Sequence, residues 1–173
     1  AYSHCADGDI FVVGDYCCGY DIWRSTDGGK TWSQVVEDGP QITCMCAVRN
    51  QFIHGHSKNY NYVSNNGKNW TQVAFNAKGG AVAFAGNESI TVAVCESYIY
   101  YTETLDLTKA TWKKCSVSPS SPLTSVSYCQ GIFIATSKKS GSNTPVYISH
   151  DGKKWQKGPN LKNANWIAGK TEP

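Results

Sequence analysis

Short apolar runs punctuated by polar turns recur along the whole chain, and none has the 3.6-residue spacing of a helix of useful length. The strongest are Asp9-Ile10-Phe11-Val12-Val13, Gln51-Phe52-Ile53-His54, Ser89-Ile90-Thr91-Val92-Ala93-Val94 and Gly131-Ile132-Phe133-Ile134-Ala135. Each is followed by a second extended run: Asp21-Ile22-Trp23-Arg24, Tyr60-Asn61-Tyr62-Val63, Tyr98-Ile99-Tyr100-Tyr101 and Pro145-Val146-Tyr147-Ile148. Each is preceded by a shorter one, at Tyr2–Cys5, Ile42–Val48, Ala81–Ala85 and Thr124–Tyr128. Between them, Asp7-Gly8, Arg49-Asn50, Gly86-Asn87 and Gln130-Gly131 carry the chemistry of tight hairpin turns. The pattern predicts an all-β chain built from repeats of short antiparallel strands.

The repeat has its own phrase. Ser25-Thr26-Asp27-Gly28-Gly29-Lys30-Thr31-Trp32 returns as Ser64-Asn65-Asn66-Gly67-Lys68-Asn69-Trp70 and as Ser149-His150-Asp151-Gly152-Lys153-Lys154-Trp155. A further copy, between these two, keeps only its ends, Thr102 and Thr111-Trp112. The closing tryptophans at 32, 70, 112 and 155 set a period near forty residues, the signature of stacked supersecondary units. With four strands per unit, the expected fold is a small β-propeller of four blades, each of four antiparallel strands. The repeats run approximately over 1–39, 40–79, 80–119 and 120–162, with a tail at 163–173, in one domain spanning 1–173. A monomer with a closed ring is favoured; an open four-repeat unit that closes only as an oligomer is the alternative.

The phrase resembles the Asp-box, or bacterial neuraminidase repeat. The positions carrying the resemblance are Ser25, Asp27, Gly29, Thr31 and Trp32, then Ser64, Asn66 and Trp70, then Trp112, then Ser149, Asp151 and Trp155. In that family the box is the turn between the two outer strands of a propeller blade, so the resemblance implies fold far more than function. Its residues suit a structural task. An Asp before glycine accepts backbone N–H bonds within the turn, and Gly28, Gly67 and Gly152 allow positive φ. Sialidases of this class clamp their substrate with three arginines, whereas this chain has only Arg24 and Arg49, so sialidase activity is not expected.

Composition adds limits. The chain has 173 residues and a net charge of +3, with no basic cluster, which argues against a nucleic-acid partner. No apolar run is long enough for a membrane span. The start at Ala1, without a signal-like segment, reads as a mature secreted product. Eight cysteines, Cys5, Cys17, Cys18, Cys44, Cys46, Cys95, Cys115 and Cys129, lack zinc spacing and read as a disulfide framework. Their pairing is open among 105 arrangements. Sequons at Asn69 and Asn87 suit a secreted glycoprotein.

Chemistry is sparse. His54-Gly55-His56 would place two imidazoles on one strand face, with His4 as the candidate third ligand, but no metal site is expected. No cofactor motif is present. The acids outside the repeated turns include Asp15, Glu37, Asp38, Glu96, Glu103 and Asp106, and none forms a recognisable motif. The aromatic column Trp23, Tyr62, Tyr100 and Tyr147 reads as packing between blades. The loops that differ between repeats lie on the rim opposite the repeated turns, and variable loops on a rigid ring suit recognition. The ligand-binding candidates there are Asp15, Tyr16, Tyr20, His54, His56, Tyr60 and Glu96, with Trp166 from the tail. The function expected is a secreted, lectin-like, adhesion or effector module that binds a glycan or an extracellular protein. The alternative is a small glycan-cleaving hydrolase with a carboxylate pair.

Overall fold

In the computed structural model, residues 3–15, 19–138 and 141–162 are described. Blade one comprises β1 (Ser3–Asp7), β2 (Ile10–Gly14), β3 (Ile22–Ser25) and β4 (Ser33–Val36). Blade two comprises β5 (Met45–Val48), β6 (Gln51–Gly55), β7 (Tyr60–Ser64) and β8 (Thr71–Ala74). Blade three comprises β9 (Ala83–Gly86), β10 (Thr91–Cys95), β11 (Tyr98–Thr102) and β12 (Lys113–Lys114). Blade four comprises β13 (Leu123–Cys129), β14 (Ile132–Ser137), β16 (Val146–Ser149) and β17 (Gln156–Lys157). Two short strands, β15 (Asn143–Thr144) and β18 (Leu161–Lys162), pair beside blade four. Every blade is a four-stranded antiparallel meander, consistent with a small β-propeller.

The inner strands β1, β5, β9 and β13 lie side by side in chain order. Because side chains alternate across a sheet, each blade presents one apolar set upstream and another downstream. Val12 and Ile22 of blade one meet Met45 and Phe52 of blade two. Ile53 and Val63 of blade two meet Phe84, Ala93 and Tyr100 of blade three. Val92, Val94 and Ile99 of blade three meet Val126, Phe133 and Tyr147 of blade four. Burying each such side chain contributes about 1.5–3 kcal/mol, so these interfaces are the main stabilising element.

Two members of the aromatic column belong to this packing, whereas Trp23 is 40% exposed and Tyr62 stacks on His54 of its own blade. Tyr100 and Tyr147 are buried, and their hydroxyls accept from the backbone N–H groups of Lys78 at 3.0 Å and Ser120 at 2.7 Å. Each thus ties down the loop that leads into its own blade.

The repeated turns are held by their own side chains. Asp27 accepts from the Thr31 N–H at 2.9 Å and the Thr31 hydroxyl at 2.6 Å, and Trp32 donates to the Gly29 carbonyl at 2.9 Å. Asn66 accepts from the Lys68 and Asn69 N–H groups, and Asp151 from those of Lys153 and Lys154. The copy between Thr102 and Trp112 is better preserved than its sequence shows. Asp106 caps a single 3-10 turn over Leu107–Lys109, accepting from the Thr108 N–H at 3.1 Å and hydroxyl at 2.6 Å. Asp106 therefore belongs inside a repeated turn rather than outside it.

The disulfide framework is not found. None of the six described cysteines is joined to another; Cys17 and Cys18 lie outside the described residues. Instead, Cys44, Cys95 and Cys115 sit in apolar cores and donate weakly to the carbonyls of Ala81, Gly79 and Gly152 at 3.6–3.7 Å. Burial pushes the Cys44, Cys46, Cys95 and Cys115 thiols up to about 12 and that of Cys5 further. Such groups act as small hydrophobes. The apolar cores do the stapling that the cysteine count suggested.

Candidate functional site, a cleft between blades two and three

Loops β6–β7, β8–β9 and β10–β11 converge on the rim opposite the repeated turns. They enclose a cleft of about 440 Å³, lined by Thr43, Ser57, Lys78, Gly79, Gly80, Ala81, Val82, Glu96, Ser97 and Tyr98. Close backbone contact sets its shape. A Cβ on Gly80 would stand 2.2 Å from the His56 carbonyl oxygen, and Thr43 donates to the Ala81 carbonyl at 2.6 Å. Lys78 is held by Tyr100, and the Glu96 carbonyl accepts from the Leu123 N–H at 2.7 Å. The frame is rigid, while the side chains of Ser57, Lys78, Glu96 and Ser97 are exposed. Lys114 covers the Tyr98 ring at 3.8 Å, a cation–π contact that occupies one aromatic face.

Of the sequence-derived candidates, Glu96 lines this cleft. His56 and Tyr60 stand beside it as a pair, with Tyr60 Oη 3.2 Å from His56 Nε2 and ring centroids 4.3 Å apart. His56 also accepts from the Lys58 N–H at 3.0 Å and orders the β6–β7 loop. Burial, then the charge of Lys58, lowers its pKa.

His54 is placed elsewhere, 1% exposed, stacked on Tyr62 at 4.8 Å and against Trp70 at 5.0 Å. It packs inside blade two rather than on the rim. The two imidazoles diverge because β6 ends at Gly55, and no cluster of three or more His, Cys, Asp or Glu residues suited to a metal occurs among the described residues. Asp15 and Tyr20 belong to the β2–β3 connection of blade one and do not line the cleft; Asp15 donates its N–H to the Asp21 carbonyl at 3.0 Å, and Tyr20 takes a positive φ of 56°. Tyr16 and Trp166 fall outside the described residues.

Sequence reasoning missed Lys78, Ser97 and Tyr98 as site residues. The available signal was Gly79-Gly80, a doublet at a blade junction where two backbones touch.

A second depression of about 600 Å³ lies on the opposite rim, lined by Arg49, Gln51, Leu105 and Asp106 among others. Its polar groups are largely engaged in bridging blades: Arg49 donates to the Asn87 carbonyl and Thr91 hydroxyl, and Gln51 bonds both Leu105 and Leu107.

No family model matches the chain, and no curated protein matches it. Solved structures do. The chain is similar to YCF48 bound to a D1 peptide, with 19% identity, a TM-score of 0.60, and coverage of 92% of this chain and 52% of that one. It is similar to a chain of the nidogen–laminin complex, with 10% identity, a TM-score of 0.69, and coverage of 92% and 62%. A computationally designed protein, Ika4, aligns at 16% identity and a TM-score of 0.61, covering 86% and 89%. The first two are β-propeller-like proteins. The shared feature is the propeller fold, and this chain spans about half to three-fifths of their length.

Proposed function

We propose that this chain is a recognition module that seats an extended peptide segment of a partner protein in the cleft between blades two and three. The observation that carries this reading is the cleft itself, a rigid trough of about 440 Å³ with Lys78 and Glu96 exposed beside the backbone of Gly79-Gly80. Opposite charges flanking open backbone suit a polypeptide, which offers both charges and amide groups. A sugar ring needs a free aromatic face, and Lys114 already occupies one face of Tyr98. YCF48 was solved with a peptide and nidogen with laminin, which supports the propeller as a protein-binding frame.

An Asp-box identity for the repeated turns remains part of the proposal, supported by the bonds of Asp27, Asn66 and Asp151. So does secretion, which rests on the two sequons now that the cysteines do not support it; Asn69 is exposed in its turn.

The test is a peptide array and a glycan array probed with the purified protein, with peptide hits measured by fluorescence anisotropy. Ser97→Trp, which fills the cleft, should weaken binding of any peptide hit by about tenfold or more, with the melting temperature within a few degrees of wild type. Unchanged affinity in this variant and in Lys78→Ala/Glu96→Ala, or exclusive binding to glycans, would refute it.

A further inference from the structure

Four blades in a closed ring need four apolar interfaces, and among the described residues only three are present. The two outermost faces are nevertheless built like the buried ones. By strand register, Phe11, Val13 and Trp23 on the upstream face of blade one correspond to Phe133, Ala135 and Tyr147 of blade four. Those three are at most 2% exposed, whereas Trp23 is 40% exposed. On the downstream face of blade four, Ile134 corresponds to Val12 and Val92. Val12 and Val92 are 0% exposed, while Ile134 is partly exposed. A groove of about 480 Å³ runs along the same outer face beside Ile148 and Gly158.

The repeated turns tell the same story independently. Those of blades two and four sit on the downstream face of the blade before them. A Cβ on Gly67 would meet Val12 at 2.7 Å, and one on Gly152 would meet Ile90 at 3.0 Å and Val92 at 3.1 Å. Gly28 has the same φ of +70°, yet a Cβ there would meet only Asp9, at 3.9 Å. Its turn is shaped to rest on a neighbouring blade and rests on none. Trp32 is likewise 42% exposed, whereas its counterpart Trp112 is 8% exposed.

We propose that two copies of this chain assemble head to tail into a single eight-bladed ring, with the Phe11–Trp23 face and the Gly28 turn of each copy seated on the Ile134 face of the other. An upstream face rests on a downstream face at all three internal junctions, so the same contact made twice across a two-fold axis closes the ring and leaves neither face exposed. The four blades align with 52% of YCF48, a larger propeller-like chain, so this arrangement of blades also occurs as part of a larger propeller-like structure. The occupant is a second copy because its end faces carry the complementary set of residues.

Sedimentation equilibrium of the full chain at micromolar concentrations tests this. The expected mass is twice the 18.9 kDa of one chain. Ile134→Arg and Trp23→Asp change side chains that are exposed or partly exposed in a single copy, so each variant should keep the wild-type circular dichroism spectrum and sediment as a monomer. A wild-type monomer at the highest concentration, or an assembly of three or more copies, would overturn the proposal. So would a dimer that survives both substitutions.

Discussion

His54 offers a quantitative check on the packing within blade two. Its imidazole is 1% exposed, held between Tyr62 and Trp70. Loss of hydration lowers its pKa to about 4, assisted by His56 and opposed by the hydrogen bond to Gly55. In the unfolded chain the same group titrates near 6.5. Between these values the unfolded state holds more protons, so stability rises with pH across that window and falls as the solution is acidified through it. The gap of about 2.5 units corresponds to about 3 kcal/mol when fully expressed below pH 4, and to about 2 kcal/mol by pH 5.

Guanidinium unfolding at pH 7.5 and 5.0, at one fixed protein concentration, reads this directly. His54→Leu removes the titration while keeping the site apolar. The variant should lose about 2 kcal/mol less than wild type between the two pH values. His56 titrates in both proteins and cancels in the difference. Equal losses in the two proteins would show that His54 reaches water when folded and that the stack with Tyr62 does not exclude it.

Two further outcomes follow from the cores. Phe133 is fully buried against Tyr128 and Trp155 at the blade three–four junction, so Phe133→Ala should destabilise by about 3–5 kcal/mol in the same assay; less than about 1 kcal/mol would mean that this junction is not packed. Titration of the denatured, unreduced protein should find at least six thiols, while the native protein reacts slowly because Cys44, Cys95 and Cys115 are buried; two or fewer thiols would restore a disulfide framework.

Much of this fold was legible in the chain. The alternation of Phe11 with Val12, or of Phe133 with Ile134, assigns strands and faces, because a strand has a period of two. Ser25 through Trp32 spells a turn because the side chains of Ser25, Asp27, Thr31 and Trp32 each find a bonding partner within the same eight residues. These are local facts, and local chemistry is written in sequence. What the cysteines do was not legible. An even count says nothing about direction, and only the packed sheets aim Cys44, Cys95 and Cys115 at carbonyls rather than at one another.

The same division holds for the site. Variable loops on one rim could be read from the failure of the repeats to match there, which pointed to Glu96. The cleft itself required Gly80 to meet His56 from another blade and Tyr100 to fix Lys78, contacts between residues about twenty positions apart. His54 and His56 looked equivalent by spacing, yet past the end of β6 the second ring, also buried, packs on Tyr60 at the start of β7 rather than on Tyr62 inside the blade. The sequence by itself determined the repeat, its strands and its turns, because these depend on neighbours along the chain. The tertiary structure decided which faces are covered and where an opening remains, because those depend on how one blade rests on the next.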